Sequence, residues 1–210
     1  MTTSNRSAIG GTTGGDVDAF HSPRPGLARL LVLTTGLPGA GKTTLARQVA
    51  GALGLPLLSK DIVKERLFDA LGARDRAWSM KLGAAANEIL WALAGECVGG
   101  AVVETWLDPT RDDADRARAG LQATGVSPVW ELMCECPAEV AVARYAARVR
   151  HPAHLPPDEA TLDRIRRAAP LLLPLGLGPV IRVDTSRPVD LASLLDRLNQ
   201  GWESQGAEPR

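Results

Sequence analysis

Nine consecutive residues, Gly36-Leu37-Pro38-Gly39-Ala40-Gly41-Lys42-Thr43-Thr44, carry the spacing G-x-x-x-x-G-K-[ST]. Each residue type in that spacing has a task if the ligand is a polyphosphate. Glycines at 36, 39 and 41 permit backbone conformations that a Cβ resists, so successive N–H groups can converge on one anion. A helix starting near Lys42 adds unpaired amides and the positive end of its dipole. Pro38, Ala40 and Thr44 complete the cradle around these groups. The Lys42 ammonium is placed to reach the β- and γ-phosphates, and the Thr43 hydroxyl to ligate Mg²⁺. The chemistry implied is the binding of a nucleoside triphosphate with Mg²⁺. The bland alternative is a glycine-rich turn before an ordinary helix. It does not account for an apolar run before the motif and a helical pattern after it.

A second group of candidates follows at Ser59-Lys60-Asp61-Ile62-Val63-Lys64. Asp61 can accept the proton of a hydroxyl that attacks the γ-phosphate. Lys64, three residues on, shares a helix face with Asp61 and can neutralise transferring charge. Asp61 can equally serve as a helix cap, and the two roles are compatible. Glu104 ends a short apolar run, where a carboxylate either works at a site or caps a turn. Thr105 and Trp106 follow it, toward an acceptor pocket. Arg144 and Arg148 are four apart and project from one side of a helix, either onto phosphates or into solvent. His151 and His154 form H-x-x-H around Pro152, a loop context with no further metal ligand nearby. Trp78 and Trp91, like Trp106, either line an acceptor pocket or fill core; Trp130 reads as core.

The elements that must hold these residues alternate along the chain. Strands are predicted over 30–35, 55–59, 101–104, 128–135 and 180–183. Helices are predicted over 42–53, 61–71, 74–98, 110–123, 137–150, 158–168 and 188–198, with Gly54, Gly72 and Gly99 as stops. Such alternation predicts an α/β chain with the P-loop NTPase fold: a five-stranded parallel sheet, helices on both faces, and a helical lid. Residues 1–27 read as a flexible arm, 28–200 as one domain with a lid at about 138–169, and 201–210 as a polar tail.

The composition narrows the function. Lysine plus arginine equals aspartate plus glutamate at 24 each, which gives no support to a large nucleic-acid footprint. Cys97, Cys134 and Cys136 are few and odd in number, and without an export segment they suit buried thiols in a reducing cytoplasm. The apolar stretch 168–181 is broken by three prolines and two glycines, so no membrane span is expected. No guanine-reading N-K-x-D follows the loop and no L-S-G-G-Q-like segment is present. A ring ATPase would need a longer chain, with a helical domain after the nucleotide-binding core.

With these motifs in view, residues 29–198 resemble the P-loop small-molecule kinases that include chloramphenicol phosphotransferase, gluconate kinase and the kinase domain of phage polynucleotide kinase. The resemblance is tight at the loop and looser elsewhere. It implies that Asp61 is the general base and that Lys64, standing where an arginine is common, assists it. It implies a role for Glu104, at a position where relatives carry Asp, in holding Mg²⁺ through water or orienting the acceptor. Arg144 and Arg148 align with a lid R-x-x-x-R element that closes over phosphates, Arg144 alternatively stacking on adenine. The turn at Thr185 corresponds to one near the adenine. The implied activity is transfer of the γ-phosphate of ATP to a hydroxyl of a small molecule, an antibiotic or other natural product among the candidates. A polynucleotide 5′-hydroxyl kinase and a nucleotide-switched regulatory protein are the alternatives.

Overall fold

Leu31, Val32 and Leu33 have no solvent exposure, as a strand covered on both faces requires. They form the centre of β1 (Leu30–Gly36) in a computed structural model that describes residues 29–206. The whole predicted arm, 1–27, and residues 207–210 of the predicted tail lie outside the described residues. The chain continues through α1 (Lys42–Leu53), β2 (Leu57–Ser59), α2 (Lys60–Leu71), α3 (Arg76–Glu96) and β3 (Gly100–Glu104). Then follow α4 (Asp113–Ala123), β4 (Val129–Glu135), α5 (Ala138–Ala146), α6 (Glu159–Ala168), β5 (Val180–Asp184) and α7 (Leu191–Gly206). Five parallel strands in the order β2-β3-β1-β4-β5 make the sheet. This is the predicted α/β architecture.

Side chains on each face of the sheet are claimed by different helices. Val32, Val102, Leu132 and Ile181 pack with Leu45 and Val49 of α1, Val142 of α5 and Leu194 of α7. Leu31, Leu33 and Val103 pack with Leu90 and Trp91 of α3 and Leu121 of α4. Each fully buried leucine contributes about 2 kcal/mol of transfer free energy. The topology then places the site. The chain leaves β1 toward β2 on one side and later crosses from β3 past β1 to β4. A crevice therefore opens beyond the carboxyl end of β1, where ligands bind in doubly wound sheets.

Helix ends differ from the sequence reading where tertiary contacts intervene. The lid helix was predicted to 150, but α5 ends at Ala146. Beyond it the chain runs as an irregular strap to Asp158, the N-cap of α6, whose side chain accepts from the Thr161 amide at 2.9 Å. The strap is fastened to α2 and α3. His154 Nε2 lies 2.9 Å from Glu65 Oε1 and His151 Nε2 lies 3.1 Å from Asp69 Oδ1. Ser79 Oγ donates to Ala153 O at 2.8 Å, and Tyr145 Oη donates to Leu155 O at 2.9 Å. At the other end of the fold, α7 continues to Gly206, into the stretch read as tail.

One interior carboxylate supports the frame. Glu131 of β4 is 1% exposed and accepts the amides of Leu175 and Leu177 at 2.6 and 2.9 Å. It holds the connection between α6 and β5 against the sheet. Glu131→Ala strands two backbone donors, which is expected to cost about 2–4 kcal/mol. A fall in the urea midpoint at constant slope checks it, and an unchanged midpoint would refute it.

Candidate active site

The glycine-rich loop leaves β1 and turns back into α1 with positive φ at Gly36 (141°), Gly39 (88°) and Gly41 (86°). Space as well as torsion demands glycine at two of them. A Cβ on Gly36 would stand 2.4 Å from Cys134 O, and one on Gly39 would stand 2.1 Å from Ala141 O. Inside the loop the Ala40 amide is spent on Leu37 O at 3.0 Å. The amides of Gly39, Gly41, Lys42 and Thr43 make no hydrogen bond among the described residues, so they are available to an anion at the head of α1. Lys42 is buried, and its Nζ donates to Leu37 O at 2.9 Å. Unused amides, a buried lysine and a helix N-terminus fit a polyphosphate.

β2 and β3 bring the second group to the same crevice. Their register sets Ser59 beside Glu104, and Ser59 Oγ donates to Glu104 Oε2 at 2.7 Å. Glu104 is 3% exposed, and its other oxygen is left for a ligand. Lys60 and Asp61 open α2 directly after β2. The N-cap position belongs to Ser59, and Asp61 makes no side-chain hydrogen bond among the described residues. Capping is therefore not what Asp61 does here. It lines one cavity of about 260 Å³ together with Gly39, Lys42, Thr43, Glu104 and Trp106. Burial alone would push its carboxyl up, but His154, Lys60, Lys42 and Arg150 outweigh that and hold it below the usual aspartate value.

Mg²⁺ takes few protein ligands and keeps waters and phosphate oxygens for the rest. No cluster of three or more His, Cys, Asp or Glu suited to a metal occurs among the described residues. Thr43 and Glu104 both line the cavity, and that pairing of a hydroxyl with a carboxylate fits this hard ion.

The strap and α6 close the far wall. Arg144 on α5 donates to Thr185 O at 2.9 Å and Ser186 O at 3.3 Å. Thr185 is buried and its Oγ1 donates to Glu135 O at 3.0 Å. A second hollow beside the cradle is lined by Thr44, Arg144, Thr185 and Pro188. Arg148 lines the main cavity together with Arg144, although it lies two residues past the end of α5. The physical reason is the strap's attachment to α2, which draws the chain off the helix axis.

Lys64 lines the cavity together with Asp61. Its ammonium donates to Ser79 Oγ at 3.0 Å, on the α3 wall. Burial first, then Lys60, Arg164 and Arg150 against Asp61, lowers its pKa to about 8.

Several cavity residues carried no sequence signal. Arg164 of α6 pairs with the interior Asp108, which also accepts from the Thr110 amide at 3.0 Å, and its guanidinium lies 4.8 Å from the Trp106 ring centroid. Arg150 lies 3.9 Å over the Tyr145 ring. Asp108 and Arg164 are 56 residues apart, and no local pattern links them. Lys60 was visible beside Asp61, yet only burial among charges marks it out. Among the tryptophans offered as pocket or core, Trp106 lines the cavity, Trp91 is core and Trp78 donates to Gly72 O at 3.0 Å outside it. Trp130 is core as expected. Cys134 is buried, and burial pushes its thiol up to about 12. No described helix is long and apolar enough to cross a membrane.

This sheet order, the glycine cradle at the central strand and the charged cavity above it define a P-loop kinase fold. The chain belongs to the AAA_33 family, an AAA domain, whose model matches residues 31–172. It is similar to a candidate kinase from Chloroflexus aurantiacus J-10-fl, with 33% identity and a TM-score of 0.72 over 82% of this chain and 98% of that one. Shikimate kinase from Acinetobacter baumannii, solved with shikimate, shares the fold at 18% identity and TM-score 0.56, over 88% and 98% of the two chains. A cytidylate kinase of Pyrobaculum aerophilum is 44% identical over 45 residues, 21% of this chain and only 22% of that protein's length.

Proposed function

We propose that the protein is an ATP- and Mg²⁺-dependent phosphotransferase that moves the γ-phosphate to a hydroxyl of a small molecule. One observation carries this reading: Asp61, free of any capping bond, shares a cavity with a glycine cradle whose amides are unspent. The cradle and Lys42 hold the triphosphate, and Arg148 supplies a further cation to its oxygens. The hollow beside Thr185 receives the base, positioned by the Arg144 bonds to that turn. Mg²⁺, held at Thr43 with Glu104 nearby, would offset charge on the β- and γ-oxygens. Glu104 and Trp106 border the acceptor.

The step balances simply. The acceptor oxygen forms a bond to the γ-phosphorus, the bond to the β–γ bridging oxygen breaks, and ADP leaves. The hydroxyl proton passes to an Asp61 carboxylate oxygen. A loose transition state asks little basicity of that group, so a depressed aspartate serves as acceptor and aligner.

Antibiotics and other natural products belong among the acceptors to be tried. The experiment is incubation with γ-labelled ATP and a panel of hydroxylated metabolites and antibiotics, with the labelled product identified by mass. A phosphorylated acceptor is expected. ATP binding with no labelled product from any acceptor would favour a nucleotide-switched binding protein instead.

A further inference from the structure

We infer that the acceptor carries an anionic group, a carboxylate or a phosphate, and that Lys60, Lys64 and Arg150 hold it against the bare surface of α3 at Gly83. The inference rests on the phosphotransferase reading and concerns the part of the cavity walled by α2 and α3.

The charge balance is the first support. Nine lysine and arginine side chains line the cavity against three carboxylates, Asp61, Glu104 and Asp113. A nucleoside triphosphate brings about four negative charges, and Mg²⁺ offsets part of them. Even with the triphosphate seated, and with Arg164 neutralised by Asp108, cations remain in excess. Opposite charge in a low-dielectric cleft is the cheapest remedy for that excess.

The second support is where the excess sits. Lys64 is 7% exposed, and its only hydrogen-bond partner among the described residues is the neutral Ser79 hydroxyl. A buried ammonium without a counter-ion is costly unless a ligand supplies one. Arg150 adds a buried Nε with no hydrogen-bond partner among the described residues. Lys60 completes the group. A Cβ on Gly83 would lie 3.7 Å from Lys60 Cε, 3.8 Å from Lys60 Nζ and 3.9 Å from Lys64 Cε. Both lysine side chains therefore run past a helix position that has no side chain, where one further atom would stand in ordinary contact with each.

Enclosure favours a small anion over a nucleic-acid strand. Lys64 and Ser79 are interior, and the strap at Ala153 to Leu155 covers them. A surface-tracking phosphodiester chain needs an open basic groove instead. Asp61 supplies only one carboxylate for the three cations and is itself engaged by the incoming hydroxyl.

The test uses matched acceptors: hydroxy acids against their amides, and sugar phosphates against the parent sugars, with γ-labelled ATP and the full chain. The anionic member of productive pairs is expected to show kcat/KM at least about tenfold higher, one good charge-assisted contact. Lys64→Met should collapse that ratio toward one, and Lys64→Arg should restore part of it, with circular dichroism checking the fold of both. The KM for the anionic member should rise as pH passes about 8 and Lys64 loses its proton. The neutral member should not follow. The other charged groups facing Lys64 are Lys60, Asp61, Arg150, His154 and Arg164.

Equal turnover of charged and neutral members overturns the inference and leaves the phosphotransferase reading standing. If no acceptor is labelled, calorimetry on protein saturated with Mg²⁺ and a nonhydrolysable ATP analogue separates the two. Binding of anionic members alone, lost in Lys64→Met, supports the anion site while the transfer reading fails. Absence of any such binding, or binding of an oligonucleotide 5′ end alone, overturns the anion site.

Discussion

Asp61→Asn should lower kcat by about 10²–10⁴-fold, the span of a lost general base, while the affinity for ATP stays within about twofold. The substitution keeps shape and removes only the charge and the capacity to take a proton. ATP affinity should be spared because the groups proposed to hold the phosphates, the cradle amides and Lys42, lie outside α2. Ser59 rather than Asp61 occupies the N-cap, so the helix keeps its start. Stability should change little for the same reason, which separates this result from unfolding. Wild-type turnover in this variant would remove Asp61 from the mechanism. The pH profile carries the same claim. A base works when deprotonated, and its activity is lost only as pH falls through its folded pKa. That value lies below 3.8 here, lowered by His154, Lys60, Lys42 and Arg150 against the opposing effect of burial. Asp61 should therefore impose no acid limb between pH 5 and 7. A limb in that range that vanished in Asp61→Asn would contradict the electrostatics of the cavity.

Lys42→Ala should reduce kcat by about 10²–10³-fold, the usual cost of deleting one preorganised stabiliser of transition-state charge. The loop itself should survive, since its shape rests on the glycine torsions and the Ala40–Leu37 bond. Lys42 donates to Leu37 O, a single carbonyl that water can serve after the substitution. Rapid-quench measurement of the chemical step distinguishes this loss from slow product release. An unchanged chemical step would mean that the cradle does not hold the transferring phosphate, and the phosphotransferase reading would fall with it.

Much of this molecule is legible without coordinates because its signals are local. The run at Leu30–Gly36 must be buried on both faces, the glycines of the loop must turn, and α1 must follow. All are consequences of periodicity and torsion within about 25 residues. Asp61, Lys42 and Glu104 could be named as candidates for the same reason: Asp61 and Glu104 stand at the ends of strand patterns, and Lys42 belongs to the glycine-rich motif. The wall opposite was invisible. Arg164 meets Asp108, His154 meets Glu65 and Glu131 meets Leu175 across 44 to 89 residues of chain. Such pairs exist because helices pack on a sheet, and spacing along the sequence does not encode that packing. The same packing ended α5 early, left Arg148 beyond its last turn and gave the Lys64 ammonium a partner on α3. Phosphate binding is thus written in consecutive residues, whereas the acceptor's surroundings come from distant segments that meet only when the core closes.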